Sequence, residues 1–124
     1  MVRPRTASLT EHELAIMRIL WKEAPLSVHE ILDALPKDPK PAYTSLLTGV
    51  RAMETKGFVS REKVGKAHVY SPKLEEPKYK RSALKRLVTG VFGGNAFDAA
   101  VNIIKEEKLS KKEIRALKAM LEDL

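Results

Sequence analysis

The sequence predicts a mostly α-helical protein with one small β-hairpin, built in two parts. Three observations predict it. Three helix starts share one local grammar. The hydrophobic period changes once, just after Gly57. The last third of the chain carries apolar stripes on segments too short to enclose a core of their own. The chain has 124 residues, which suits one domain or a small domain with an appendage. It has no cysteine, which excludes disulfides and thiolate metal sites and fits a cytoplasmic, reducing environment. No apolar run approaches the roughly 18 residues of a membrane span, so no membrane insertion is expected. The N-terminal MVRPRTASLTEHE has basic residues with no apolar stretch behind them, and reads as no signal peptide.

The shared grammar appears at Leu9-Thr10-Glu11-His12-Glu13-Leu14, Leu26-Ser27-Val28-His29-Glu30-Ile31 and Leu109-Ser110-Lys111-Lys112-Glu113-Ile114. Each has Ser or Thr as N-cap and Glu three residues on, so hydroxyl and carboxylate satisfy two orphan amides reciprocally. The flanking apolar residues form a hydrophobic staple. The first helix is expected over 11–23, with Leu14, Ile16, Met17, Leu20 and Trp21 inward. It stops before Ala24-Pro25, because the residue ahead of proline avoids helical geometry. The second is short, from Val28 to Leu35, and ends at Pro36. A loop, Lys37-Asp38-Pro39-Lys40-Pro41, leads to a third helix over 42–56, with Gly57 placed as a left-handed cap. Residues 58–63 and 67–71 read as strands around Val64-Gly65-Lys66, and Pro72 ends the second. Helices follow at 79–92, 96–108 and 111–124, with a break at Gly93-Gly94.

The third helix is unusual in its outward face. At about 100° per residue, Tyr43, Leu46, Leu47, Val50 and Met53 share one side, and Thr44, Ser45, Thr48, Arg51, Ala52 and Thr55 the other. Lys and Glu would favour the helix more than Thr and Ser do. Small hydroxyl side chains let a helix approach a DNA major groove and contact phosphates and base edges, and Arg51 adds a phosphate or guanine contact. The net charge is +7, and the window 37–73 holds eight basic against three acidic residues. A basic patch of this kind suits a polyanion. Short helix, third helix and basic hairpin follow in the order of a winged helix-turn-helix. Arg61, Lys63, Lys66 and His68 on the hairpin are expected to meet backbone phosphates. A winged helix used only for protein–protein contacts, without DNA binding, is the alternative reading.

Catalysis has little support. His12-Glu13 and His29-Glu30 match half of a zinc-protease motif, but Ile16 and Asp33 stand where the second histidine belongs, and no metal site or cofactor is expected. In the C-terminal part, Leu84, Leu87, Val88, Val91 and Phe92 form one apolar stripe. Phe97, Val101 and Ile104 form a second, and Ile114, Leu117, Leu121 and Leu124 a third at seam spacing. Dimerisation is favoured over folding back on the first domain. The expected division is 1–74 for DNA binding and 75–124 for dimerisation.

Residues 9–124 resemble the penicillinase repressor family, winged-helix regulators of β-lactam resistance genes. The resemblance is carried by Leu9-Thr10, Glu13, Leu14, Met17 and Leu20-Trp21, then by Ala42-Tyr43-Thr44, Thr48, Arg51, Lys56-Gly57 and Val69-Tyr70-Ser71-Pro72. It continues through Leu84, Leu87, Phe92-Gly93-Gly94 and Leu109-Ser110 with Glu113. The resemblance implies a homodimer that binds a palindromic double-stranded DNA operator and represses transcription. It also implies release by a sensor-protease that cuts the C-terminal domain. Departures are Gly49 for a larger residue, Ala52 for a frequent Arg, and the absence of the cysteines of copper-sensing relatives. Asn102-Ile103 matches a scissile Asn–Phe pair in its first residue only.

Overall fold

The computed structural model describes residues 8–37 and 39–124. The stretch before Ser8, most of the segment read as lacking a signal peptide, and Asp38 of the loop lie outside the described residues. The elements are α1 (Glu11–Glu23), β1 (Leu26–Ser27), α2 (Val28–Ala34), α3 (Tyr43–Thr55), β2 (Val59–Val64), β3 (Ala67–Pro72), α4 (Glu76–Gly90), α5 (Ala96–Glu107) and α6 (Lys111–Glu122). All three capping boxes form. At α1 the Glu13 amide donates to the Thr10 hydroxyl at 3.1 Å, and the Thr10 amide donates to the Glu13 carboxylate at 2.9 Å. Ser27 with Glu30 and Ser110 with Glu113 repeat the arrangement.

Gly57 closes α3 as expected, with φ 86°. Its amide donates to the Glu54 carbonyl and the Phe58 amide to the Met53 carbonyl, at 3.0 and 2.9 Å, which is a Schellman motif. Phe58 and Met53, the apolar pair of that motif, are both buried. The core of the first unit is Ile16, Met17 and Leu20 from α1, Val28 and Ile31 from α2, Leu46, Val50 and Met53 from α3, and Val59 and Tyr70 from the sheet. The helical period predicts the inward faces of α1 and α3.

The sheet has three strands rather than the two of the expected hairpin. β1 adds to β3 antiparallel, with Leu26 opposite Tyr70, giving the order β1-β3-β2. Leu26 and Ser27 were legible as a staple and an N-cap. Their backbones serve the sheet as well, so the wing is joined to the start of α2. The second difference is at α4, expected to start at Tyr79 and observed from Glu76 to Gly90. Pro77 lies in its first turn, where a missing amide costs nothing because that amide has no helical partner. Early α4 belongs to the first unit. Trp21 Nε1 donates to the Leu74 carbonyl at 2.8 Å, the Leu9 amide donates to the Tyr79 hydroxyl at 3.3 Å, and the Trp21 and Tyr79 rings lie 5.9 Å apart.

The chain divides into two compact units, one ending at Ala83 and the other running from Leu84 to Leu124. The second unit holds the end of α4, then α5 and α6. Gly93 and Gly94 have φ of 58° and 87°, and the Gly94 amide donates to the Val88 carbonyl at 2.8 Å, closing α4 before α5 begins. No helix among the described residues is long and apolar enough to cross a membrane.

Candidate nucleic-acid interface

Thr44, Ser45, Thr48, Arg51, Ala52 and Thr55 are all exposed on α3, opposite fully buried Leu46, Val50 and Met53. The outward stripe is therefore the one the helical period predicts. Its hydroxyls have a defined polarity. Thr48 Oγ1 donates to the Thr44 carbonyl at 3.0 Å, and Thr55 Oγ1 donates to the Arg51 carbonyl at 3.2 Å. With the proton turned inward, each threonine offers lone pairs and a methyl group outward. Such a group accepts from the amino group of adenine or cytosine and packs on a thymine methyl. Ala42 stands at the N-cap of α3 and supplies no side-chain cap. Gly49 is outside the stripe: a Cβ there would stand 3.7 Å from His12 Nε2 on α1.

On the wing, Arg61, Lys63, Lys66 and His68 are exposed. Lys63 pairs with His68 and Arg61 with Tyr70 across the strands, so these four side chains share one face of the hairpin. Lys66 follows Gly65, whose φ of 63° makes the turn. Arg61 is less available than its neighbours, because its Nε lies 3.6 Å from Glu54 Oε2 on α3. Two further cations of the basic window have internal roles. Lys40 Nζ donates to the Leu32 and Asp33 carbonyls at 2.9 and 3.2 Å, capping the end of α2. Lys56 Nζ lies 2.8 Å from Glu13 Oε2. Burial pushes the Glu13 carboxyl up, but the Lys56 ammonium and the Thr10 amide and hydroxyl outweigh it and hold the group below its ordinary value.

Between α3, the start of α2 and the wing lies a cleft of about 280 Å³, lined by His29, Tyr43, Leu47, Arg51, Lys66 and His68 among others. His29 stacks on Tyr43 with ring centroids 4.2 Å apart and planes 20° from parallel. Sequence spacing assigns His29 no role. It is exposed, but the crossing of α2 over α3 aims it into the cleft, and only tertiary packing reveals that. The glutamates of the two His-Glu pairs are both held in capping boxes. Among the described residues no three His, Asp or Glu side chains converge on a metal-sized site.

In the second unit, Leu84, Leu87, Val91, Phe97, Ile104, Ile114, Leu121 and Leu124 are exposed. Val88, Phe92, Val101 and Leu117 are half-buried. Phe97 is 79% exposed and Leu124 98%. Asn102 and Ile103 lie in the middle of α5, both exposed. The Asn102 amide nitrogen donates to the Asp98 carbonyl at 2.8 Å and its carboxylate at 3.1 Å.

A family profile described as penicillinase repressor matches residues 9–123. The penicillinase repressor of Bacillus licheniformis is 26% identical over 119 residues, covering 93% of this chain and 90% of that one. The methicillin resistance regulatory protein MecI of Staphylococcus aureus strain N315 is 25% identical over 117 residues, covering 94% and 95%. The solution structure of the DNA binding domain of the repressor BlaI superposes with a TM-score of 0.53 at 23% identity, covering 62% of this chain and 94% of that one.

Proposed function

The chain belongs to the penicillinase repressor family, and on that premise we propose that it is a homodimeric repressor of transcription that binds a palindromic DNA operator. The observation that carries the reading is the outward stripe of α3, small and hydroxyl-lined around Arg51, beside a basic wing. Thr44, Ser45, Thr48, Arg51 and Thr55 face the groove, and Lys63, Lys66 and His68 face phosphates. Arg61 joins them once it swings off Glu54. Residues 1–74 bind DNA. Of the expected 75–124, the second unit from Leu84 on holds two chains together through the apolar side chains that one chain leaves exposed, and thereby presents two recognition helices to two half-sites. Release by a sensor-protease would act at Asn102-Ile103.

Two substitutions test the assignment in mobility-shift titrations against a panel of duplexes. Thr48→Ala is expected to change the ranking of the duplexes. Lys66→Ala is expected to weaken all of them alike and to lower the salt slope by about one unit. Equal loss from both on every duplex overturns the residue assignment. Binding to no duplex leaves a winged helix for protein contacts.

A further inference from the structure

We propose that the cleft between α3 and the wing seats one phosphodiester of the bound DNA, with His29 and His68 linking that seat to protons, so that DNA is held more tightly as pH falls. The inference rests on the DNA-binding reading above and adds to it a ligand group, a residue outside the stripe and the wing, and a dependence on pH.

The cleft's size and charge both fit. Its volume of about 280 Å³ accommodates a phosphate with its first sugar atoms or bridging waters. Arg51 comes from α3, Lys66 from the turn of the wing, His68 from β3 and His29 from α2, and no carboxylate of the described residues lines it. A concavity with charge of one sign concentrates an anion. Arg51 belongs both to the outward stripe of α3 and to the cleft wall. A phosphate seated there is therefore continuous with a duplex lying on the stripe.

His29 is ready for such a contact. The stack on Tyr43 holds its ring in place before any ligand arrives, which reduces the ordering cost of binding. The groups around each ring determine the sign of the linkage. Toward His29 come Tyr43 and Arg51 from α3, and Lys66 and His68 from the wing. On α2 itself the neighbouring acids are Glu30 and Asp33, of which Glu30 accepts from the Ser27 amide at 2.8 Å. His68 faces Lys63 across the strands, with Arg61 diagonal to it and itself beside Glu54, and faces Arg51 and Lys66 in the cleft. A phosphodiester brings negative charge into this cationic setting and favours the imidazolium form of both rings. The complex then binds more protons than the free protein does. By linkage the affinity rises as pH falls and the imidazolium form is favoured.

The test uses the full-length protein and a random-sequence duplex, read by fluorescence anisotropy at fixed ionic strength. Affinity at about pH 6 is expected to be roughly 3- to 30-fold tighter than at about pH 8, since each ring contributes at most about one log unit per pH unit. His29→Gln and His68→Gln should each reduce that ratio, and the double variant should bring it close to one. His12→Gln, a histidine outside the cleft, should leave it unchanged. Ring-proton NMR of the wild type provides an arm that needs no variant. The His29 and His68 signals should move with duplex, and not with inorganic phosphate at the same phosphate concentration. Binding that does not depend on pH, a ratio unchanged in the double variant, or ring signals that respond only to inorganic phosphate overturns the inference and leaves DNA binding standing. If the folded wild type binds no duplex at any pH, the functional reading falls and this inference with it.

Discussion

Gly49 sits in the interior of α3 and takes no part in its outward stripe. A Cβ there meets only the edge of the His12 ring, at an ordinary contact distance of 3.7 Å. Gly49→Ala is therefore expected to stabilise the protein by about 0.5–1 kcal/mol, by lowering the entropy of the unfolded chain with no steric cost. Urea denaturation reads the gain as a higher midpoint with an unchanged slope, and a lower midpoint would contradict it. Single residues were legible wherever their role is set by local period. Thr44, Thr48 and Arg51 were placed outward, and Leu46, Val50 and Met53 inward, because a helix repeats its faces every 3.6 residues. Roles that depend on a distant partner were not legible. Arg61 was assigned to phosphates with no hint of Glu54, and Lys40 was counted as a surface charge although it caps α2. Neither partner is announced by spacing.

At the scale of elements, α1 and α3 are joined end to end by one ion pair. Glu13 closes the capping box of α1 and also meets Lys56 at the end of α3, with its side chain 11% exposed against 48% for the lysine. The folded carboxyl lies below the ordinary value of 4.5, so its contribution is fully present above that value and is lost as pH falls through the lower, folded one. Lys56→Met removes the main counterweight to burial. The variant is expected to be about 0.5–1 kcal/mol less stable at about pH 7, the modest figure suited to a half-exposed partner. The gap should narrow at about pH 3, below the ordinary value, as pH falls toward and through the lower value of the folded carboxyl. Urea denaturation at the two pH values checks it, and a gap that widens in acid would refute the linkage. Elements themselves were largely legible, because caps and prolines write their ends into the chain. β1 was missed because two residues show no alternation, and its pairing with β3 appears only when the wing folds back on α2. The helix expected from Tyr79 starts three residues earlier, at Glu76, because proline is well suited to a first turn.

For the whole molecule, the second unit leaves large apolar side chains in water, Phe97 and Leu124 most of all. A fully buried Leu or Phe side chain contributes about 1.5–3 kcal/mol, so covering several is ample for a stable pair. The full chain is expected to sediment as a dimer at micromolar concentration, and Leu121→Asp on α6 to shift it toward monomer. A monomeric wild type would refute the proposed assembly. The fragment 1–102 lacks α6 and should lose roughly 10²- to 10⁴-fold in affinity for a palindrome, since two linked half-site contacts become independent. If it binds as tightly as the full chain, loss of the dimer cannot be what releases DNA. Cutting at Asn102 also requires α5 to open first, because the bond lies in mid-helix and the Asn102 side chain is tied back to Asp98. The apolar stripes were legible as stripes. What covers them was not, because a seam reads the same whether its partner is another helix of one chain or a second copy.

The two-residue strand β1 also governs how the wing can lengthen. By pairing Leu26 with Tyr70 it fixes the register of β3 at its base, and β3 fixes that of β2. Any insertion must then go in near Gly65. One residue added to each strand would turn the tip, with Lys66, toward the opposite face, because strand faces alternate with a period of two. Two residues added to each preserve the face that carries Lys63 and His68 and move the tip outward by about 7 Å. The hairpin's reach is therefore quantised, and its length can change without disturbing the helices beneath it.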